Sequence, residues 1–143
     1  MSCEFLDHTG DTAVRITAPD AASLFREAVR ATLAIYVGPE ALESVGSRDE
    51  ISVRLEAEDG EALLVDFLNE LIFLFDTRRF LAASARVEDI DLGSPARLRT
   101  VLLGETMDPV RHELRTEIKA ATFHGLTIRV IDAGLSVDVV FDL

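Results

Sequence analysis

Between residues 61 and 75 the chain carries Leu63, Leu64, Phe67, Leu68, Leu71, Ile72, Leu74 and Phe75, an apolar surface wider than the single stripe by which a surface helix meets a core. A helix of this kind has to be covered on more than one side, so the remainder of the chain must supply the cover. Asp66 and Glu70 interrupt it at i, i+4 spacing and share one face, which reads as the face left to solvent. The interruptions, and a length short of the ~20 apolar residues a bilayer requires, exclude a membrane span.

The flanking sequence supplies that cover mainly as strands. Val14 and Ile16 alternate with Arg15 and Thr17, with Ala13 out of step, and place the first strand within 11–17. Asp20 can cap a helix in which Leu24, Phe25, Ala28, Val29, Leu33 and Tyr36 recur at helical spacing before Gly38-Pro39 ends it. Ile51, Val53 and Leu55 alternate in a second strand that runs into the turn Glu58-Asp59-Gly60, directly before the central helix.

Beyond that helix no 3.6-residue period competes, and strands are predicted over 80–92, 96–104, 117–123, 126–132 and 135–143. Gly93-Ser94-Pro95 reads as a turn, and Asp132-Ala133-Gly134 as the turn of a terminal hairpin. In its last strand Val137, Val139 and Phe141 take one face, while Ser136, Asp138 and Asp142 take the other. The order β-α-β-α-β-β-β-β-β predicts one domain over 1–143, of the α+β class, with a largely antiparallel sheet packed with two main helices. A chain of 143 residues can build a core without staples, and the lone Cys3 excludes a disulfide scaffold.

Charge narrows the function classes. Fourteen Lys+Arg against 26 Asp+Glu leave −12, which opposes direct binding to nucleic acid and points to cations or a basic protein partner. The first residues lack the basic and then apolar pattern of a signal peptide, so a cytoplasmic location is expected, without membrane attachment. No feature specifies an oligomeric state. Of the 14 basic residues only Lys119 is a lysine. A compact point charge beside phosphate or carboxylate would resist replacement by the planar arginine fork, although a chance survivor explains the same observation.

The densest polar cluster is Asp7-His8-Thr9-Gly10-Asp11. Such a cluster can ligate a hard cation such as Ca²⁺ or Mg²⁺, or can be a surface turn whose aspartates bond nearby backbone N–H groups. Asp142, followed by Leu143 and its α-carboxylate, adds negative charge at one strand end, which a cation would hold if that end is buried beside Asp7 or Asp11. His112 and His124 have no ligand spacing, Met107-Asp108-Pro109 reads as a turn, and Cys3 reads as a small apolar residue. There is no phosphate-cradling glycine loop, nucleophile elbow or zinc motif.

Four segments taken in order, FLDHTGD (5–11), GEALLVDFLNELIFLFDT (60–77), HELRTEIKAATFHGL (112–126) and VVFDL (139–143), resemble the archease family. The resemblance implies an accessory, non-enzymatic activator of the RtcB-type RNA ligase of tRNA splicing and RNA repair, promoting ligase guanylylation and multiple turnover. It further implies a metal site, calcium in character with Mg²⁺ or another divalent ion as alternatives, held by Asp11, Asp142 and Leu143, with Asp7 and His8 as further candidates. The family's functional lysine corresponds to Lys119. The chain departs from the family pattern at Gly10-Asp11-Thr12, where Ala-Asp-Val is usual, and at Arg115-Thr116-Glu117, where Gly-Thr-Glu is usual. The rival readings are a small metal-dependent hydrolase using Asp7, His8, Asp11 and Asp142, and a general chaperone or scaffold.

Overall fold

The computed structural model describes residues 1–6 and 11–143, and in it the broad apolar helix is enclosed by two antiparallel sheets. The elements are β1 (Ser2–Leu6), β2 (Asp11–Ala18), α1 (Ala21–Val37), a 3-10 turn (Pro39–Ser44), β3 (Asp49–Ala57), α2 (Gly60–Arg78), β4 (Phe80–Asp91), β5 (Ala96–Thr106), β6 (Ala120–Thr122), β7 (Arg129–Ile131) and β8 (Gly134–Asp142). One sheet has the order β1-β2-β8-β6, with β7 also paired to β8, and the other is β3-β5-β4. Helix α1 packs on β2 and β4, and α2 on β3, β4, β5 and β6, so each helix touches both sheets. This is the expected α+β architecture, antiparallel with two main helices.

Both helices start where a carboxylate can take up an otherwise unpaired backbone donor. Asp20 accepts the Ser23 N–H at 2.8 Å and Asp59 accepts the Ala62 N–H at 2.8 Å, each cap contributing about 1 kcal/mol. Every apolar side chain that the spacing turns inward on α2 is buried. Phe25 of α1 stacks at 5.3 Å from Phe67, and Tyr36 at 4.3 Å from Phe75, joining the helices through aromatic contacts. Asp66 is exposed and Glu70 half-buried, in keeping with a solvent face.

Helix α2 runs past the predicted end at residue 75 to Arg78. The added turn carries polar residues, Thr77 donating its hydroxyl to the Phe73 carbonyl at 2.7 Å, and Arg79 closes it in the left-handed region at φ 54°, its N–H on the Phe75 carbonyl at 2.8 Å. That backbone costs an arginine about 1 kcal/mol, offset by its guanidinium lying 4.7 Å over the Phe75 ring and pairing with Glu117 at 2.9 Å.

The strand predictions need three corrections. The strand at Ser2–Leu6 precedes the one taken as first, and its sequence hides it because an edge strand with exposed Glu4 shows no alternation. The strands predicted at 117–123 and 126–132 shorten to Ala120–Thr122 and Arg129–Ile131. Between them Gly125 takes φ 68°, Leu126 turns its side chain into the core, and Ile128 gives its N–H to Glu61 Oε2 at 3.0 Å, so the chain leaves β8 to meet the start of α2. Ala13, out of step with Val14, is buried on the opposite face, where its register neighbours are Leu6 and Val140. The terminal hairpin is present, with Ile131 opposite Gly134. Gly134 has φ +133° and a Cβ there would lie 2.2 Å from the Ala18 carbonyl oxygen, so the turn admits only glycine in this packing.

Candidate functional site

The period of two that buries Val14 and Ile16 against Val139 and Val137 puts Asp11 on the opposite face of β2, and the register pairs it with Asp142 of β8. Two carboxylates 131 positions apart in sequence (142 − 11) thus become cross-strand neighbours. On the same face Arg15 and Asp138 form a two-pronged ion pair at 2.8 and 3.1 Å, which holds the Asp138 carboxyl below its ordinary range. Asp11 and Asp142 lie at the end of the sheet, with one oxygen of Asp11 shielded from solvent and Asp142 exposed.

The other edge of β8 brings in Lys119. Ala120 is the register partner of Asp142, and the Lys119 amide donates to the Asp142 carbonyl at 2.8 Å. Lys119 is exposed, and among the described residues it takes part in no ion pair. Its backbone is fixed from both sides. Ile118 is buried immediately before it, and Asn69 of α2 bonds both main-chain groups of Ala121, accepting its N–H at 2.9 Å and donating to its carbonyl at 3.1 Å. Asn69 thereby serves β6 as a second strand partner, a role that its place in the motif DFLNEL does not reveal.

The preceding loop is anchored as well. The Arg115 N–H bonds the Tyr36 carbonyl at 2.7 Å, and its guanidinium pairs with Glu40. The arginine that stands where the family pattern has glycine therefore occupies the rim of a groove of about 240 Å³, shared with Phe5, Thr12, Pro39 and Leu143. Leu143 is half-buried there, next to Asp142.

Asp11, Asp142, Leu143 and Lys119 are thus assembled at one sheet end, whereas Asp7 and His8 lie outside the described residues. The donors are oxygens only, which fits a hard divalent cation better than zinc. Among the described residues no group of three or more His, Cys, Asp or Glu forms a metal constellation; at this sheet end the described side chains bring two carboxylates together, Asp11 and Asp142.

His112 and Glu105, absent from the site expected from sequence, form a separate buried network. His112 Nδ1 accepts the Asp108 N–H at 2.9 Å, so the ring proton sits on Nε2, which donates towards Glu105 at 3.0 Å and the Ser44 carbonyl at 3.2 Å. Glu105 also takes the Gly46 N–H at 2.7 Å and Arg111 at 2.7 Å, and these bonds hold its pKa down at about 2. Nothing in an alternating strand marks one glutamate as buried, and the network lies in the other sheet from Asp11. Cys3 is half-buried and burial raises its thiol pKa, as suits a small apolar residue.

The sequence profile of the Archease protein family matches residues 3–143. Proteins named archease from Methanopyrus kandleri and Archaeoglobus fulgidus are 30% and 32% identical over the whole of this chain and the whole of their own lengths. The solution structure of a Methanobacterium thermoautotrophicum protein superimposes with a TM-score of 0.76 at 29% identity, covering 99% of this chain and 98% of its own. The crystal structure of a Thermotoga maritima archease, described as a possible chaperone, shares the fold at 22% identity and a TM-score of 0.59, covering 96% and 94%. No helix among the described residues is long and apolar enough to cross a membrane. On the full-length match and these relatives, the chain belongs to the archease family.

Proposed function

We propose that the chain is a cytoplasmic, non-catalytic activator of an RtcB-type RNA ligase, promoting its guanylylation and multiple turnover in tRNA splicing and RNA repair. The observation that supports this reading is the meeting of Asp11, Asp142 and Lys119 at one end of the sheet in an archease-family chain. Asp11, Asp142 and the main chain of Leu143 are the groups that would hold a divalent cation, Ca²⁺ first and Mg²⁺ or another divalent next, with Asp7 and His8 as further ligands. Such a cation, when bound, supplies a compact positive charge for an oxyanion. Lys119 supplies a second, on a backbone held by Asn69 and Asp142, where a nucleotide phosphate or a ligase carboxylate can meet it. The anionic chain would approach a ligase with a basic RNA-binding surface by electrostatic steering, without binding nucleic acid itself.

The test is multiple-turnover guanylylation and ligation by a purified RtcB-type ligase from the same source, with and without this chain and Ca²⁺. Stimulation is expected, and Asp11→Ala and Lys119→Ala should abolish it while leaving the chain folded. Full stimulation by both variants would remove the site assignment. A ligase that does not respond to the unaltered chain would remove the activator reading, and phosphoester cleavage by the chain alone would put a hydrolase in its place. A chaperone reading draws on exposed Phe73 and Phe123; suppression of aggregation in unrelated proteins, insensitive to Asp11→Ala, would favour it.

A further inference from the structure

Of the eight phenylalanines Phe73 is the most exposed, at 56%, and it stands in the middle of a helix whose other large apolar residues are buried. Helical spacing puts Asp66, Glu70 and Asp76 on the same stripe around it. None of these three carboxylates takes part in an ion pair among the described residues, while arginines elsewhere engage Asp89, Asp91, Glu105, Glu117 and Asp138. The stripe is therefore an aromatic ring set in uncompensated negative charge.

Its position links it to the candidate site. Helix α2 is tied to the 117–121 segment at two points, Arg79 to Glu117 and Asn69 to Ala121. Phe73 lies between those points on the helix, and Lys119 lies between them on the segment, so the two residues occupy neighbouring parts of one surface.

We infer that this solvent stripe of α2, Phe73 with Asp66, Glu70 and Asp76, is the surface on which the ligase of the proposed function docks, through a cationic patch with an apolar socket for the phenyl ring. The inference rests on the activator reading. Charge selects the occupant. A second copy would set the same carboxylates against one another, and anionic lipid would be repelled, whereas an enzyme that holds RNA must carry arginines and lysines on its surface. Such side chains also favour the face of an aromatic ring, and a buried aromatic with a polar surround is the usual anchor of a protein contact. Docked there, the ligase would cover Phe73 and meet Lys119 in one contact.

The test titrates the purified full chain into the purified ligase by calorimetry and, in parallel, reads ligation turnover against chain concentration. Phe73→Ala is expected to weaken binding, and to raise the concentration for half-maximal stimulation, about tenfold, with its melting temperature unchanged. Joint Asp66→Asn, Glu70→Gln and Asp76→Asn should flatten the salt dependence of binding, and Val130→Ala, at an exposed position on β7, should do neither. Unaltered affinity and half-maximal concentration for Phe73→Ala would overturn the inference, as would a Phe73-dependent dimer that binds the ligase normally. Phe73-dependent binding without stimulated turnover would keep the docking surface and discard the activator reading. Stimulation that is indifferent to Phe73 would do the reverse, and absence of any ligase binding would overturn the docking surface.

Discussion

Replacing Asn69 by alanine tests whether α2 holds the segment that carries Lys119. The side chain makes two hydrogen bonds to Ala121, at 2.9 and 3.1 Å, and Ala121 is buried. Two such bonds contribute about 1–3 kcal/mol, towards the upper end because a buried N–H and carbonyl are left without a partner. Alanine returns up to roughly 0.7 kcal/mol as the better helix former. The expected net loss is about 2 kcal/mol, a fall in melting temperature of ~4–8 °C for a chain of this size. Urea unfolding measures the first quantity and amide hydrogen exchange locates it, with faster exchange at Lys119, Ala121 and their neighbours on β8. Asn69→Asp keeps the acceptor but sets a carboxylate oxygen against the Ala121 carbonyl in place of the donor, so it should not restore the stability of the unaltered chain. If Asn69→Ala exchanged at Lys119 and Ala121 as slowly as the unaltered chain, the Asn69 clamp would not be what fixes this segment, whatever the change in global stability.

Glu105 gives a pH dependence with a definite sign. Its folded pKa of about 2 lies below the ordinary 4.5, so its stabilisation is complete above about pH 5 and is lost as pH falls towards 2. Acid titration of the melting temperature should show Glu105→Gln less stable at neutral pH and less steep in this window, and parallel curves would contradict the network. Gly134→Ala should cost on the order of 2–3 kcal/mol in urea unfolding, from its φ of +133° and the 2.2 Å approach to the Ala18 carbonyl oxygen; a change within about 0.5 kcal/mol would mean that the turn relaxes freely. Calcium at ~100 times its dissociation constant should raise stability by about 2.7 kcal/mol, in the unaltered chain and not in Asp142→Asn, and an equal shift in both would move the cation elsewhere.

What the sequence makes legible follows physical range. Caps at Asp20 and Asp59 act within three residues (Ser23 and Ala62), and the inward face of α2 follows from spacing alone, so both helices and their cores could be read locally. The alternation of Val137, Val139 and Phe141 likewise gives the buried face of β8. Register between distant strands leaves no such local mark, so the pairing of Asp11 with Asp142 was an expectation from resemblance and chain-end charge. Lys119 stands out as the lone lysine, whereas the residue that holds its neighbour, Asn69, is one polar residue within an apolar helix, and nothing local marks it as a strand partner. Ile128 alternates correctly in sequence yet leaves the ladder, because Glu61 competes for its N–H.

The pairing of β2 with β8 also governs when the candidate site comes into being. Each of its three parts is incomplete alone: Asp11 waits for a strand more than a hundred residues downstream, and Lys119 takes its bond from the same strand. Closing so long a loop is slow compared with forming α1 or α2, since its entropy must be met before any contact across it is gained. A chain with both helices formed and β8 undocked therefore has most of its local structure and none of the site. In this fold the proposed engagement of a partner would report that β8 has already docked on β2.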